Sequence, residues 1–223
     1  MQQKWERVYT WGIISVGLVL AAAAIVSAVR QYALTDMGGY LRQTLYLTLI
    51  CAVCRSLPVF LSNNKAMDLS VISILMTYLT MGTAQAITVF TLSTLLIFSF
   101  NEQGEKRFVC IYNSSPVKTL FNVGSVVIPI AISGFACSLT GWQAGEFVYP
   151  QILLVTAIFA ILAFLVNALI MMGLFSMIDG LSRYEAVHML VGLIPNVLPV
   201  MPLGYVMALF LRQENGMLLV LFM

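Results

Sequence analysis

The chain has 223 residues, 61% of them hydrophobic and 9% charged, with 11 Lys plus Arg against 9 Asp plus Glu and a formal net charge of +2. A soluble domain carries about 25% charged residues, so this composition, at a mean hydropathy of +0.96, cannot clothe a water-facing surface and places the chain in a bilayer. The small net charge supplies no basic field for nucleic acid, which is excluded as a partner.

A helix crossing the hydrocarbon needs about 20 mostly apolar residues, so uncharged runs bounded by charged clusters mark the spans. The first run, 11–29, has Lys4 and Arg7 before it, Arg30 after it, and Trp5, Tyr9 and Trp11 at the level of an aromatic belt. Its 19 residues exceed a signal-peptide core of about 7–15, so it reads as an uncleaved helix. The second run, 44–62, is interrupted by Arg55 and Pro58, which predicts a short span over 44–54 and an interfacial segment after it. The uncharged stretch 69–100 fits two short spans broken at Met81-Gly82-Thr83. A polar loop over 101–118 follows, with the turn signal Asn113-Ser114-Ser115-Pro116.

The next span, 120–139, holds Pro129 near its centre and Gly124, Ser125, Ser133 and Gly134, small residues that let helices approach closely. After a loop around Glu146 and Pro150, 152–178 is a long uncharged span that must tilt or protrude. A short polar segment, 179–188, leads to a span over 191–211 bearing Pro195, Pro199 and Pro202, which remove three backbone donors. The apolar 217–223 is too short to cross, and reads as the start of an eighth helix in a chain that continued beyond it. The expected fold is therefore an all-α polytopic bundle of six to eight short transmembrane helices, one domain over 1–223. With the N-terminus inside, eight basic residues fall on the cytoplasmic side and Arg30, Arg42 and Arg212 outside, which favours that orientation.

All nine carboxylates fall in loops or at span ends on this reading, which removes the mid-membrane acids that proton relays and intramembrane aspartyl enzymes require. His188 is the sole histidine and lacks the partners of a catalytic zinc site. Cys51 and Cys54 form a C-x-x-C inside an apolar helix, where they read as small buried hydrophobes, as does the rest of a set of four. No metal, no cofactor and no catalytic residue are expected, and the chain is not read as an enzyme.

The polar residues left inside spans are the candidate site. Asn167 in the longest span should face another helix, either as helix-helix glue or, with Asn122 and Gln85, as a contact to a small-molecule ligand. Ala24 and Ala28 stand at a spacing that lets two helices meet closely, in the same chain or in a homodimer. Membrane lipids are the remaining expected partners.

Several short stretches, Met67-Asp68-Leu69-Ser70, Lys118-Thr119-Leu120-Phe121-Asn122, Asn167 and Pro202-Leu203-Gly204-Tyr205, resemble the N-terminal multi-helix membrane region of bacterial HD-GYP and GGDEF cyclic-di-GMP signalling proteins. That family places an F-N pair after a basic loop and a P-L-G near the end of the membrane region, ahead of a cytoplasmic output domain. The resemblance implies a sensory module that passes the state of a ligand or lipid to an output domain or partner subunit. No His-Asp metal pair and no cyclase loop stand in this chain, so the family's enzymatic activity lies outside these residues. Ala24 and Ala28 also look like the A-x-x-x-A of the substrate-binding S-component of energy-coupling-factor vitamin transporters, which implies the alternative of a transporter subunit.

Overall fold

Apolar residues surround most of these helices on every side, so what decides the packing is where small and polar residues interrupt them. The computed structural model describes residues 2–33, 37–56, 59–62, 65–67, 69–101, 107–110, 114–178, 184, 185, 188, 191 and 199–212. Within these, α1 is Gln2–Ala33, α2 Met37–Ser56, α3 Ser70–Met81, α4 Thr83–Ser93, α5 Pro116–Ser138, α6 Gln151–Ile178 and α7 Val200–Arg212. Two short antiparallel ribbons interrupt the helical order: β1 (Val59–Ser62) pairs with β2 (Lys65–Met67), and β3 (Phe98–Asn101) with β4 (Arg107–Cys110). The bundle is helical as expected; the ribbons are additions at the α2–α3 and α4–α5 connections. In the second, β3 takes up the end of the stretch read as a span and β4 lies in the segment read as a loop, with Phe98 opposite Cys110 and Phe100 opposite Phe108 in the register.

Among the described residues three helices are long and apolar enough to cross a membrane: Trp5–Gln31, Pro116–Ser138 and Gln151–Met177. Ser70–Met81 and Met201–Arg212 are apolar but shorter, so length and composition bear out three of the expected six to eight short spans. The break at Gly82 is where the sequence placed it. Gly82 adopts φ 87°, a conformation favourable to glycine, and serves both as the last cap of α3 and the first of α4. Its N–H donates to the Tyr78 carbonyl at 2.8 Å and its own carbonyl accepts from Ala86 at 3.1 Å.

The two arms return to the same level. Leu69, just before α3, donates its N–H to the Cys54 carbonyl at 3.2 Å, while Thr94, just after α4, accepts from Arg55 at 2.7 Å. Both free ends of the α3–α4 hairpin thus lie beside the end of α2. At 1.5 Å per residue, arms of 12 and 11 residues reach about 18 Å, roughly half of a 30 Å hydrocarbon core. The tip is covered by the 139–150 connection between α5 and α6: Gly145 donates to the Leu79 carbonyl at 2.9 Å. Trp142 of that connection is buried against Tyr78, whose ring stacks on Phe159 at 3.9 Å. Helix α4 is the centre of the bundle, packed against α1, α2, α3 and α5.

Glycines set the closest crossings. A Cβ on Gly17 would overlap Gly124, and one on Gly124 would stand 2.6 Å from the Ile13 carbonyl, so α1 and α5 meet backbone to backbone. Gly134 meets Thr83 between α5 and α4, and Gly204 meets Leu75 between α7 and α3. Tyr9 crosses to α6 beside Gly173 and donates to the Ile170 carbonyl at 2.7 Å. Helix α7 is described from Val200, and Pro199 and Pro202 sit at its opening turn, where missing N–H groups cost little; residues 192–198 of the expected proline-bearing span lie outside the described residues. Pro195 and the segments 179–183 and 217–223 lie outside the described residues.

Gly12 has open space around its Cα, unlike Gly124. Gly12→Ala should therefore leave stability unchanged or raise it by up to about 1 kcal/mol, whereas Gly124→Ala should lower it by about 1–3 kcal/mol through overpacking. Thermal unfolding in one detergent compares them, and equal midpoints would contradict a backbone contact at Gly124.

Candidate functional site

The polar residues of the core gather along one seam, between α2 and α4. On α2, Thr44, Thr48 and Arg55 are spaced by four and seven residues and so share one helix face. On α4, Gln85 and Thr88 share another. The two helices run in the same direction, because Thr44 lies beside Gln85 and Arg55 beside the last turn of α4.

Most hydroxyls in this region satisfy themselves. Thr88 donates to the Ala84 carbonyl at 2.8 Å, Thr91 to Ile87 at 2.7 Å, and Ser93 to Phe90 at 2.7 Å, the local back-bonding that makes a Thr or Ser tolerable inside an apolar helix. Gln85 is too long to do this. Its side chain is only 1% exposed, and its Nε2 donates across the seam to Thr44 Oγ1 at 2.6 Å. Its Oε1 and the Oγ1 of Thr48 are buried without a protein partner.

At the lower end of the seam Arg55 closes α4. Its Nη1 donates to the Phe90 carbonyl at 3.1 Å, to Ser93 Oγ at 3.1 Å and to Thr94 Oγ1 at 2.7 Å, and the guanidinium lies 4.1 Å from the centre of the Phe90 ring. A helix ending inside a bundle leaves carbonyls unsatisfied and a partial negative charge, and a planar cation answers both while its face rests on an aromatic ring. In the sequence, Arg55 reads as a cost to the second span; in the fold it is what holds the end of the hairpin to α2. Ser56, the next residue, accepts from the Phe98 N–H at 3.2 Å and ties β3 to the same point.

The three polar residues singled out from the sequence are not brought into one pocket. Gln85 is fully buried, Asn122 is exposed on the outer face of α5, and Asn167 is partly exposed on α6. A side chain on the outside cannot share an enclosed pocket with a residue on the central helix, so the expected Gln85, Asn122 and Asn167 ligand set reduces to Gln85. Ala24 and Ala28 are buried within the chain, where α1 packs on α4 and α5. The small-residue face is therefore used within the chain, the first of the two alternatives left open for it, and is not exposed to a second copy. A shallow groove does lie on the outer side of α1, lined by Ala22, Ala23, Val26, Ser27 and Arg30, and none of the three polar residues lines it.

Cys51, Cys54 and Cys137 are buried within the main core and form no disulfide, in keeping with the small-hydrophobe role read from their surroundings. No carboxylate is among the buried side chains of the described residues, and no cluster that could hold a metal ion occurs among them. Thr44, Thr48 and Arg55 are the site residues that sequence reading missed, although their four- and seven-residue spacing on a single helix face was a readable signal. The chain matches no family model, no curated protein and no solved structure.

Removing the cation while keeping the stem, Arg55→Met, should cost about 1.5–3 kcal/mol of stability, the range for hydrogen bonds to a charged group. Arg55→Lys should recover only part, since an ammonium lacks the planar fork and the stacking face. Unfolding midpoints in detergent measure both, and an Arg55→Met protein as stable as the parent would remove the capping role.

Proposed function

We propose that the protein is a membrane-embedded sensory or regulatory module rather than an enzyme, and that the α3–α4 hairpin is its responsive element. The observation that carries this is the hairpin itself: a central, half-length pair of helices that adds directed hydrogen bonds at tip and base to its apolar packing in the core. A regulatory element needs two packings separated by a few kcal/mol, so that a ligand with differential affinity can shift the balance. Gly145 to Leu79 at the tip and Arg55 to Thr94 at the base are contacts that can be exchanged singly. The glycine crossings of α1 with α5 tolerate no such displacement.

In this reading the three long helices cross the bilayer and the shorter helices, the α3–α4 hairpin reaching only part of the way, make up a bundle of six to eight short membrane helices. Lys4, Arg7, Arg55, Lys65, Arg107 and Lys118 belong to the end where α1 and α5 begin, and Arg30, Arg42 and Arg212 to the other, which favours a cytoplasmic N-terminus in a bacterial inner membrane. The likeness to the membrane regions of cyclic-di-GMP signalling proteins supports a cytoplasmic output domain or partner subunit as the recipient, and a lipid or small molecule as the signal. The transporter-subunit alternative loses ground, because the A-x-x-x-A that suggested it is covered by the chain's own helices.

Spin labels at Met81 and Gln143, in a protein whose four native cysteines are replaced, would report the tip-to-loop distance in nanodiscs. Two populations whose ratio responds to native lipid extract are expected. A single distribution, the same with and without that extract, would sink the proposal.

A further inference from the structure

We infer that the α2–α4 seam contains a built hydration site, in which a buried water is held jointly by the Gln85 amide oxygen and the Thr48 hydroxyl. The inference rests on the seam alone and stands whether or not the hairpin is regulatory.

Gln85 Oε1 and Thr48 Oγ1 are each buried and have no protein partner, with their residues 1% and 4% exposed. The Gln85 Nε2 is taken up by Thr44 Oγ1 at 2.6 Å and Oε1 is left for a further donor.

Thr48 is equally unusual in its place. Thr77, Thr88, Thr91 and Thr156 return their hydroxyls to the carbonyl four residues back at 2.7–2.8 Å, but Thr48 forms no such bond and keeps its hydroxyl for the seam. The register brings the two groups together. Thr44 meets Gln85 at one end and Arg55 meets Phe90 at the other, so Thr48, one turn beyond Thr44, falls opposite the turn of α4 that begins at Gln85.

Two unpartnered polar atoms facing one interface are what a buried water requires, since such a water bonds two to four otherwise unsatisfied groups. The water donates one hydrogen to Gln85 Oε1 and exchanges the other bond with the Thr48 hydroxyl, which can donate or accept. In an apolar bundle a lone hydroxyl is a liability, and removing it should help; a hydroxyl bonded to shared water contributes, and removing it should harm.

That contrast is the test. In the full chain in detergent, Thr48→Val, which keeps the side-chain shape, should lower the unfolding midpoint by about 2–4 °C, and Thr48→Ser should restore most of it. In a Gln85→Met background, Thr48→Val should have no further effect, because the pair acts through one water. A Thr48→Val midpoint at or above the parent's, or deficits that simply add, would overturn the site. The unaltered protein gives a second reading through hydroxyl-radical footprinting by X-ray pulses in nanodiscs. Cys51, one turn from Thr48, and Cys137 are both 0% exposed; Cys51 should oxidise several-fold faster, and equal protection of the two would also overturn the inference.

Discussion

A helix that stops inside an apolar bundle must find partners for its terminal carbonyls and amides, since neither lipid nor packed side chains will supply them. The α3–α4 hairpin creates this problem at Gly82 and again at the end of α4, and much of the molecule answers it. At the tip, the hydrogen bonds of Gly82 close the two helices on themselves and the Gly145 amide takes the Leu79 carbonyl. At the base, one guanidinium takes the Phe90 carbonyl and two hydroxyls. Trp142 then seals the tip by filling the space beside Tyr78 and anchoring its own indole N–H on the Glu146 carbonyl at 2.8 Å.

Around the hairpin stands a frame of a different kind. Helices α1, α5 and α6 are held by contacts that glycine makes possible: backbone to backbone at Gly17 and Gly124, and a seat for the Tyr9 ring at Gly173. In lipid there is little hydrophobic drive between helices, so close van der Waals approach is what binds them. Such contacts are short-ranged and fail within a fraction of an ångström. A hydrogen bond across a polar seam can instead be exchanged for another. The molecule thus joins a frame held by close apposition to a central hairpin that adds exchangeable hydrogen bonds at tip and base to its apolar packing.

What could be read from the sequence follows the same division. The long apolar runs, the break at Gly82 and the close-packing residues Gly124 and Gly134 were legible, because length, glycine and the absence of charge have few structural meanings in a membrane. The direction in which each helix faces was not. Lipid and protein interior are equally apolar, so Ala24 and Ala28, buried, and Ala22 and Ala23, exposed, carry the same signal although they lie on opposite sides of α1. Asn122 was misread for that reason, since a polar residue near a helix start serves equally well outside the bundle. The hairpin's return to the level of Arg55 was also hidden, because it depends on contacts between residues almost forty positions apart.

Polarity within the bundle is distributed with economy of position rather than of number. Threonines and serines are frequent in α3 and α4, yet most turn their hydroxyls onto their own helix and present methyl and methylene groups to neighbours. Where α2 runs beside α4, side chains reach from one helix to the other, through Thr44 with Gln85 and through Arg55. A dry, purely apolar α2–α4 contact would have fixed the hairpin by shape, as glycine fixes α1 on α5. By placing an amide, two threonines and a cation there, the chain makes its central helix depend on directed bonds, and it is along this seam that a second arrangement of the hairpin would have to form.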